Sequence, residues 1–467
     1  MQKQPNIILL FTEQHRGDCL SIEGHPVLLT PNMDEIGARG VRFTRAYSNC
    51  PTCIAARRSL LSGQFPATHG LVGYREGCEW QIEQTLPAVL RKHNYETCWV
   101  GRSMHQFPAD KNFGFEKMVK SDHRDQCGND YQQYFQQRRP DDWEGVYGTG
   151  VMHNDWTARP WHLEEDLHPT NWTVHEALRF LRQRDQSRPF FLVVSFLAAH
   201  PPFLPPAFYL ERYLRTGVPE PFIGDWAVPP ANGGRGLPVD STRVDLRGEA
   251  LLCARAGYYG LLNHLDDQIR RILAPVTGVD RMTGNNTVVM LSSDHGELLG
   301  DHYLWRKTLP YEGSARVPLL LRAPERFGLQ PNTVCAEPVC LADLMPTILD
   351  FAGVPIPDSV DGQSLLPLAR GDNPAWREFL HIEHAPFHHS LTDGQEKYIW
   401  FAADGREQLF RLSDDPHECH NLAGESEEAQ CLSRWRERLI QHLAKRPEGF
   451  SDGKQLIPGR QYAATLG

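Results

Sequence analysis

The stretch Asn6-Ile7-Ile8-Leu9-Leu10-Phe11-Thr12-Glu13-Gln14-His15 joins an unbroken apolar run to an acid, an amide and an imidazole. The run is too short to cross a membrane and no cleavage region follows it, so it reads as a first strand buried on both faces. Three later stretches repeat the pattern. Glu96-Thr97-Cys98-Trp99-Val100 leads into Gly101-Arg102-Ser103-Met104-His105, and residues 190–196 lead into Leu197-Ala198-Ala199-His200. Thr287-Val288-Val289-Met290-Leu291 leads into Ser292-Ser293-Asp294-His295-Gly296-Glu297. Short apolar runs alternating with helical patterns predict a buried parallel sheet in an α/β fold. Ligands bind such sheets beyond the carboxyl ends of the strands. Here those ends deliver Glu13, Gln14, Arg102, His105, His200, Asp294 and His295.

Between the strands, Thr30-Pro31-Asn32 through Gly40 carries a cap, a proline at the first helical position and a stopping glycine. Residues 170–182 predict a helix running into the third strand, and residues 250–274 the longest helix. Residues 201–248, rich in Pro and Gly, read as an extended surface loop. Near Gly371-Asp372-Asn373-Pro374 the character changes. Short strands at 379–383, 398–402 and 408–412 then precede a helix at about 425–444 and an irregular tail. The expected organisation is a large α/β domain over 1–372 and a C-terminal subdomain over 373–467, a small antiparallel sheet with a helix.

The 467 residues are 40% hydrophobic and 23% charged, as in an ordinary soluble globular protein. A net charge of −10 argues against nucleic acid or an anionic membrane as partner, so an anionic substrate needs a local basic site. Eleven cysteines, odd in number and irregularly spaced, do not form the pattern of a secreted disulfide framework. With no signal peptide visible the cytoplasm is the expected location, or the periplasm if a leader has been removed. The oligomeric state is not legible.

Cys53 lies in Cys50-Pro51-Thr52-Cys53-Ile54-Ala55-Ala56-Arg57, ahead of a helix-like run that stops at Gly63. With Thr52 as N-cap, Cys53 falls at a helix N-terminus, which favours a thiolate or a bound anion, and Arg57 follows one turn later. Three readings stay open: a buried structural cysteine, a redox C-x-x-C pair, and a nucleophile for an oxyanion ester. Glu13, Gln14, Asp294 and His295 make an oxygen-rich donor set suited to Ca²⁺, with Mn²⁺ or Mg²⁺ as competitors. Lys307, in Leu304-Trp305-Arg306-Lys307-Thr308, adds a point charge after the Asp-His strand. On the substrate side, Arg159, Trp161 and His162 stand in a segment whose tryptophans suit sugar faces and whose arginine suits carboxylates. Tyr74-Arg75 and the histidines His381, His384, His388 and His389 are further candidates, and all of these can equally line core and rim.

Cys53-x-Ala55-x-Arg57 followed by Ser59-Leu60-Leu61-Ser62-Gly63 resembles the signature of the formylglycine-dependent sulfatase family, in the alkaline-phosphatase-like superfamily. The likeness extends through Ser293-Asp294-His295-Gly296-Glu297, Tyr311-Glu312-Gly313-Ser314-Ala315-Arg316 and Asp361-Gly362-Gln363-Ser364-Leu365. The resemblance implies a large mixed, mostly parallel sheet sandwiched by helices, with a smaller C-terminal antiparallel sheet plus helix. It implies that a maturation enzyme oxidises Cys53 to formylglycine, whose hydrate is the nucleophile. It also implies Glu13, Gln14, Cys53, Asp294 and His295 as metal ligands, and Arg57 as the residue holding the hydrate. His105 would then be a base, with His200 and Lys307 on the sulfate and leaving oxygen, and Arg102 on the substrate.

Two departures stand out. Arg102-Ser103-Met104-His105 replaces the Lys-x-His pair of many relatives, and Glu13-Gln14 replaces a pair of Asp. The second resembles the branch that includes phosphonate and phosphate-ester hydrolases. The expected activity is hydrolysis of a sulfate ester on a small sulfated sugar, a uronic-acid-containing or glycosaminoglycan-derived oligosaccharide approached from its end. The competing readings are a phosphonate monoester or phosphodiester hydrolase, a thioredoxin-like redox protein, and a non-catalytic sulfated-sugar-binding relative.

Overall fold

The computed structural model describes residues 3–102, 106–121, 129–142, 145, 148–234, 236–277 and 285–466. The first half runs β1 (Asn6–Thr12), α1 (Pro31–Ala38), β2 (Val41–Phe43), β3 (Ala46–Tyr47), α2 (Cys53–Ser62), α3 (Pro66–His69), α4 (Leu86–Lys92), β4 (Glu96–Gly101), β5 (Lys117–Lys120) and α5 (Asp130–Arg138). Then come α6 (Pro169–Gln183), β6 (Phe190–Ser195), α7 (Ala207–Thr216), α8 (Gly248–Thr277), β7 (Thr287–Ser293), α9 (Glu312–Ala315), β8 (Leu319–Arg322), β9 (Thr333–Cys335) and β10 (Val339–Cys340). The chain closes with α10 (Leu344–Ala352), α11 (Leu366–Arg370), β11 (Leu380–His384), β12 (His388–Thr392), β13 (Glu396–Phe401), β14 (Glu407–Arg411) and α12 (Ala429–Leu443).

Eight strands form one sheet in the order β5-β4-β6-β1-β7-β8-β2-β9. The four expected strands are its contiguous centre, with β1 between β6 and β7 and every pairing among them parallel. β8 alone runs antiparallel to its neighbours β7 and β2. Because side chains alternate along a strand, Ile8 and Leu10 of β1 enter a core with α1, α6, α7 and α8. Ile7, Leu9 and Phe11 enter a second core on the opposite face, with α2, α4, α10 and α11. Helices on both faces explain why these strands read as continuous apolar runs. Parallel alignment also brings their polar carboxyl ends to one edge: Phe11 stands beside Ser195 and Ser292, and Gly101 beside Ser195.

The C-terminal region adds a four-stranded antiparallel sheet, β11-β12-β13-β14, with α12 packed on it through Trp435, Leu439 and Leu443. It is tied to the large sheet's side of the molecule by buried Lys397, whose Nζ reaches Glu312 at 2.7 Å and Glu418 at 2.9 Å. The loop expected at residues 201–248 needs correction, since it contains α7. Its flanking Pro206 and Gly217 read as loop, but Tyr209, Leu210 and Tyr213 make an apolar stripe that packs on α8. β12 was also absent from the expectation, because its histidines look like surface chemistry whereas all of its residues are buried. The ten cysteines among the described residues are free. No helix among the described residues is long and apolar enough to cross a membrane.

Leu9 has no exposed surface and Leu29 is 45% exposed. Leu9→Ala is therefore expected to cost about 2–5 kcal/mol and lower the calorimetric unfolding temperature, while Leu29→Ala stays within about 0.5 kcal/mol of the parent.

Candidate active site

The end of β1 turns sharply at Gln14, which takes a left-handed backbone (φ 63°). That turn sets Glu13 and Gln14 against Asp294 and His295, which leave the neighbouring strand β7. The backbone N–H groups of Gln14 and His295 both donate to Asp294 Oδ1, at 3.1 and 2.9 Å. Cys53 comes to the same place as the first residue of α2. Thr52 precedes it in extended conformation and Gly63 stops the helix with φ 67°, as the sequence predicts. The Thr52 hydroxyl makes no capping bond, however, and remains buried without a partner beside Cys53.

Glu13 is the hub of the site. Fully buried, its carboxylate accepts from Arg102 Nε at 2.6 Å and from Arg57 Nη2 at 3.4 Å, with His200 Nε2 at 3.9 Å and Cys53 Sγ at 3.4 Å. Burial works to raise its pKa, but the charges of Arg102, His200 and Arg57 overcome that and hold the carboxyl well below the usual range. Arg57 is itself buried, facing the Phe11 and Trp99 rings, and it reaches Asp294 Oδ2 at 3.3 Å and donates to Ser195 Oγ at 3.1 Å. Gln14 is fixed at both ends. Its amide nitrogen donates to Glu297, and its carbonyl oxygen accepts from Lys307 Nζ at 2.9 Å. The loop bearing Lys307 has left-handed residues on either side, Arg306 (φ 69°) and Thr308 (φ 87°). It is pinned where Thr308 N–H donates to the Pro51 carbonyl and His388 Nε2 donates to the Thr308 carbonyl, at 3.1 and 2.9 Å.

His295 and His200, which follow β7 and β6, are held neutral by burial, and their Nδ1 bonds to backbone carbonyls set the tautomers. His295 Nδ1 donates to the Gly296 carbonyl at 2.9 Å, which turns the lone pair of Nε2 toward Cys53 Sγ, 3.3 Å away; burial lowers its pKa to about 4. His200 Nδ1 donates to the Pro201 carbonyl at 2.6 Å, and burial and the Lys307 charge push its pKa well below the ordinary value. The Cys53 thiol moves in the opposite direction from a helix-terminal thiolate. Burial, with Glu13 and Asp294 adding to it, outweighs Lys307 and Arg57 and pushes it up to about 12. Cys50 lies among apolar neighbours, also pushed up by burial, and the pair is not joined. Cys50 and Cys53 thus stand in different surroundings, apolar for one and polar for the other, which does not favour the C-x-x-C reading.

The donor chemistry fits a divalent cation. Asp294 Oδ2 is buried and accepts no hydrogen bond, and the ligand atoms of Cys53, Asp294 and His295 all lie within 4.8 Å of one another. With Glu13 and Gln14 alongside, the set offers mainly hard oxygen atoms and one imidazole nitrogen. Above Cys53 opens a cavity of about 390 Å³, walled by Arg102, Lys307, His200, His153, Tyr74 and His384 among others.

Of the expected site residues, the structure brings together Glu13, Gln14, Cys53, Arg57, Arg102, His200, Asp294, His295 and Lys307, with Tyr74 on the cavity wall. His105 lies outside the described residues. Arg75, Arg159, Trp161 and His162 do not reach the cavity. Arg75 donates to Thr465 Oγ1 and Trp161 is buried with its indole N–H on the Glu164 carbonyl, while Arg159 and His162 are exposed elsewhere. The neighbours His153 and Asn154 line the wall instead. Ser195 and Glu297, which orient Arg57 and Gln14, were not singled out, although both sit at strand ends where such partners are to be sought.

A family model described as Sulfatase matches residues 5–354, and one described as N-sulphoglucosamine sulphohydrolase, C-terminal matches residues 300–445. The chain is 38% identical to an arylsulfatase of Clostridium perfringens, over 98% of each chain. Its fold is similar to that of a phosphonate monoester hydrolase of Agrobacterium radiobacter, with a TM-score of 0.78 and 24% identity over 95% of this chain and 96% of that one. It is also similar to BT4656, solved in complex with its substrate D-glucosamine-2-N,6-O-disulfate, with a TM-score of 0.75 and 22% identity over 97% of this chain and 100% of that one.

Since the folded pKa of Glu13 lies below its ordinary value of 4.5, its ion pairs stabilise the fold fully above that pH and lose their effect as pH falls toward the folded value. Glu13→Gln is expected to cost about 3 kcal/mol or more near neutrality, because two buried guanidiniums lose a partner. The difference from the parent should shrink in thermal melts taken toward about pH 3.

Proposed function

The chain belongs to the sulfatase family and is a sulfuric ester hydrolase, and from that premise we propose that it removes sulfate from a small sulfated sugar through a formylglycine made from Cys53. The observation that carries this reading is the position of Cys53. It begins α2 at the floor of the cavity, clustered with Asp294 and His295 and 3.4 Å from Glu13, below the basic wall of Arg102 and Lys307. The Cys53-x-Ala55-x-Arg57 signature and the sulfatase family favour a modified side chain as the reacting group. Formylglycine, produced by a maturation enzyme, supplies a hydrated aldehyde, and a divalent cation, Ca²⁺ by the hardness of the donors, supplies positive charge beside it.

Glu13, Gln14, Asp294 and His295 would hold the cation. Arg57, fixed by Ser195 and the Phe11 and Trp99 rings, keeps its guanidinium against residue 53 and has no freedom to follow the substrate out. Lys307 presents an ammonium beside the Gln14 carbonyl, where it can neutralise a sulfate oxygen and give a proton to the leaving oxygen. His200, with Nδ1 committed to Pro201, turns Nε2 toward Glu13 as a second polar contact. The cavity volume of about 390 Å³ suits one sugar residue, and the Ala385-Pro386-Phe387 turn forms part of its wall, which favours action at a chain end over an open polymer groove. Binding of a uronic-acid neighbour is not supported by the placement of Arg159.

The competing reading, a phosphonate monoester or phosphodiester hydrolase, rests on Glu13-Gln14 in place of two acids. Relative kcat/KM on matched sulfate and phosphonate esters separates the two, with sulfate expected to lead. Intact-peptide mass spectrometry across Cys53 after co-expression with a maturation enzyme is expected to show conversion of thiol to aldehyde. Cys53→Ala should abolish turnover, and an unconverted, fully active enzyme would refute the nucleophile assignment. Lys307→Ala is expected to lower kcat by about 10²–10⁴ on sugar sulfates and by much less on 4-nitrophenyl sulfate, whose phenolate leaves without a proton.

A further inference from the structure

His384 ends β11, the first strand of the small sheet, and is only 2% exposed, yet neither of its ring nitrogens makes a hydrogen bond. The ring faces the backbone of Ala385 and of His384 itself without meeting hydrogen-bond geometry, and burial lowers its pKa to about 4, so the ring is neutral. The residue belongs to the wall of the cavity above Cys53, and its ring stacks on Phe387 at 5.7 Å. Its sequence neighbour in the histidine run, His388, is explained by its bond to the Thr308 carbonyl; His384 has no such task. A buried imidazole with both nitrogens unpaired is costly unless something else pairs with it.

The rest of the cavity wall says what that partner is. Among the described residues it carries Arg102, Arg306 and Lys307 and no carboxylate, so it opposes an alcohol with a cationic group. Two half-exposed rings, Tyr74 at 45% and Phe387 at 44%, offer flat apolar faces at the rim. We propose that His384 is a specificity-determining residue that hydrogen-bonds a free hydroxyl on the alcohol half of the ester, selecting polyhydroxylated alcohols over cationic or hydroxyl-free ones. A neutral imidazole offers one donor and one acceptor, which matches a hydroxyl group in either direction. This inference rests on the sulfate-ester reading and adds to it the residue that recognises the alcohol.

The test compares the matured parent with His384→Asn and His384→Phe on two substrates: the best-used member of a panel of hexose and hexosamine monosulfates, and 4-nitrophenyl sulfate. His384→Phe is expected to lose about 10- to 100-fold in kcat/KM on the sugar sulfate, mostly through KM, because a polar partner is left unpaired. It should change less than about 3-fold on the aryl sulfate, whose alcohol has no free hydroxyl, and His384→Asn should recover part of the loss. Circular dichroism melts check that each variant folds, and the aryl-sulfate rate of the same sample reports an intact centre. Equal losses on both substrates would assign His384 a structural role, and no loss on either would leave it without one in recognition; each overturns the inference. A parent active on the aryl sulfate but on no sugar sulfate overturns it as well while leaving sulfate-ester hydrolysis standing. A parent inactive on both overturns the sulfate-ester reading and this inference with it.

Discussion

Glu13 holds a negative charge at a position with no exposed surface. A lone carboxylate there would take up a proton or cost several kcal/mol, and Arg102 and Arg57 prevent this from two directions. Each of those arginines is in turn fixed by the sheet. Arg102 follows β4 and donates its backbone N–H to the Ser195 carbonyl, while Arg57 donates to the Ser195 side chain and sits against Phe11 and Trp99. The site is therefore the meeting point of β1, β4, β6 and α2, and it forms only if those elements are in register. Asp294 and His295, from β7, complete the cluster on the far side of β1. An arrangement with this much buried charge is expensive to assemble, which is a reason to read it as chemistry and not as scaffolding.

Much of this was legible in the sequence. Four apolar runs, each with a polar end, were enough to place β1, β4, β6 and β7 as one parallel block, because burial on both faces leaves no room for polar alternation. Thr52 and Gly63 marked the ends of α2 and so put Cys53 at a helix terminus. What a local pattern cannot carry is the net effect of burial. The helix terminus suggested a thiolate at Cys53, but full desolvation beside two carboxylates drives the thiol the other way. Thr52 likewise occupies the cap position without making the cap bond. α7 was missed because proline and glycine at its borders look like loop, whereas its helical stripe has meaning only against α8.

The substrate side was the least legible. Tryptophan and arginine in residues 153–162 suggested sugar contacts, but Trp161 serves the core and His153 and Asn154 reach the cavity. The small C-terminal sheet supplies His384 and the Ala385-Pro386-Phe387 turn to a cavity whose floor belongs to the large sheet, separated by more than three hundred residues of chain from Glu13. The floor of the candidate site is thus built from strand ends that read clearly in sequence, and part of the cavity wall from a region whose contribution depends on docking.

The central claim is that Glu13, Gln14, Asp294 and His295 form a cation site next to residue 53, with Arg57 held against it. A crystal structure of the matured protein grown with Ca²⁺ and inorganic sulfate addresses it directly. The expected result is an ion with oxygen ligands from Glu13, Gln14 and Asp294 at about 2.3–2.6 Å, and sulfate in the cavity toward Lys307. Density showing no ion there, with Arg57 still bridging Glu13 and Asp294 at saturating Ca²⁺, would contradict it.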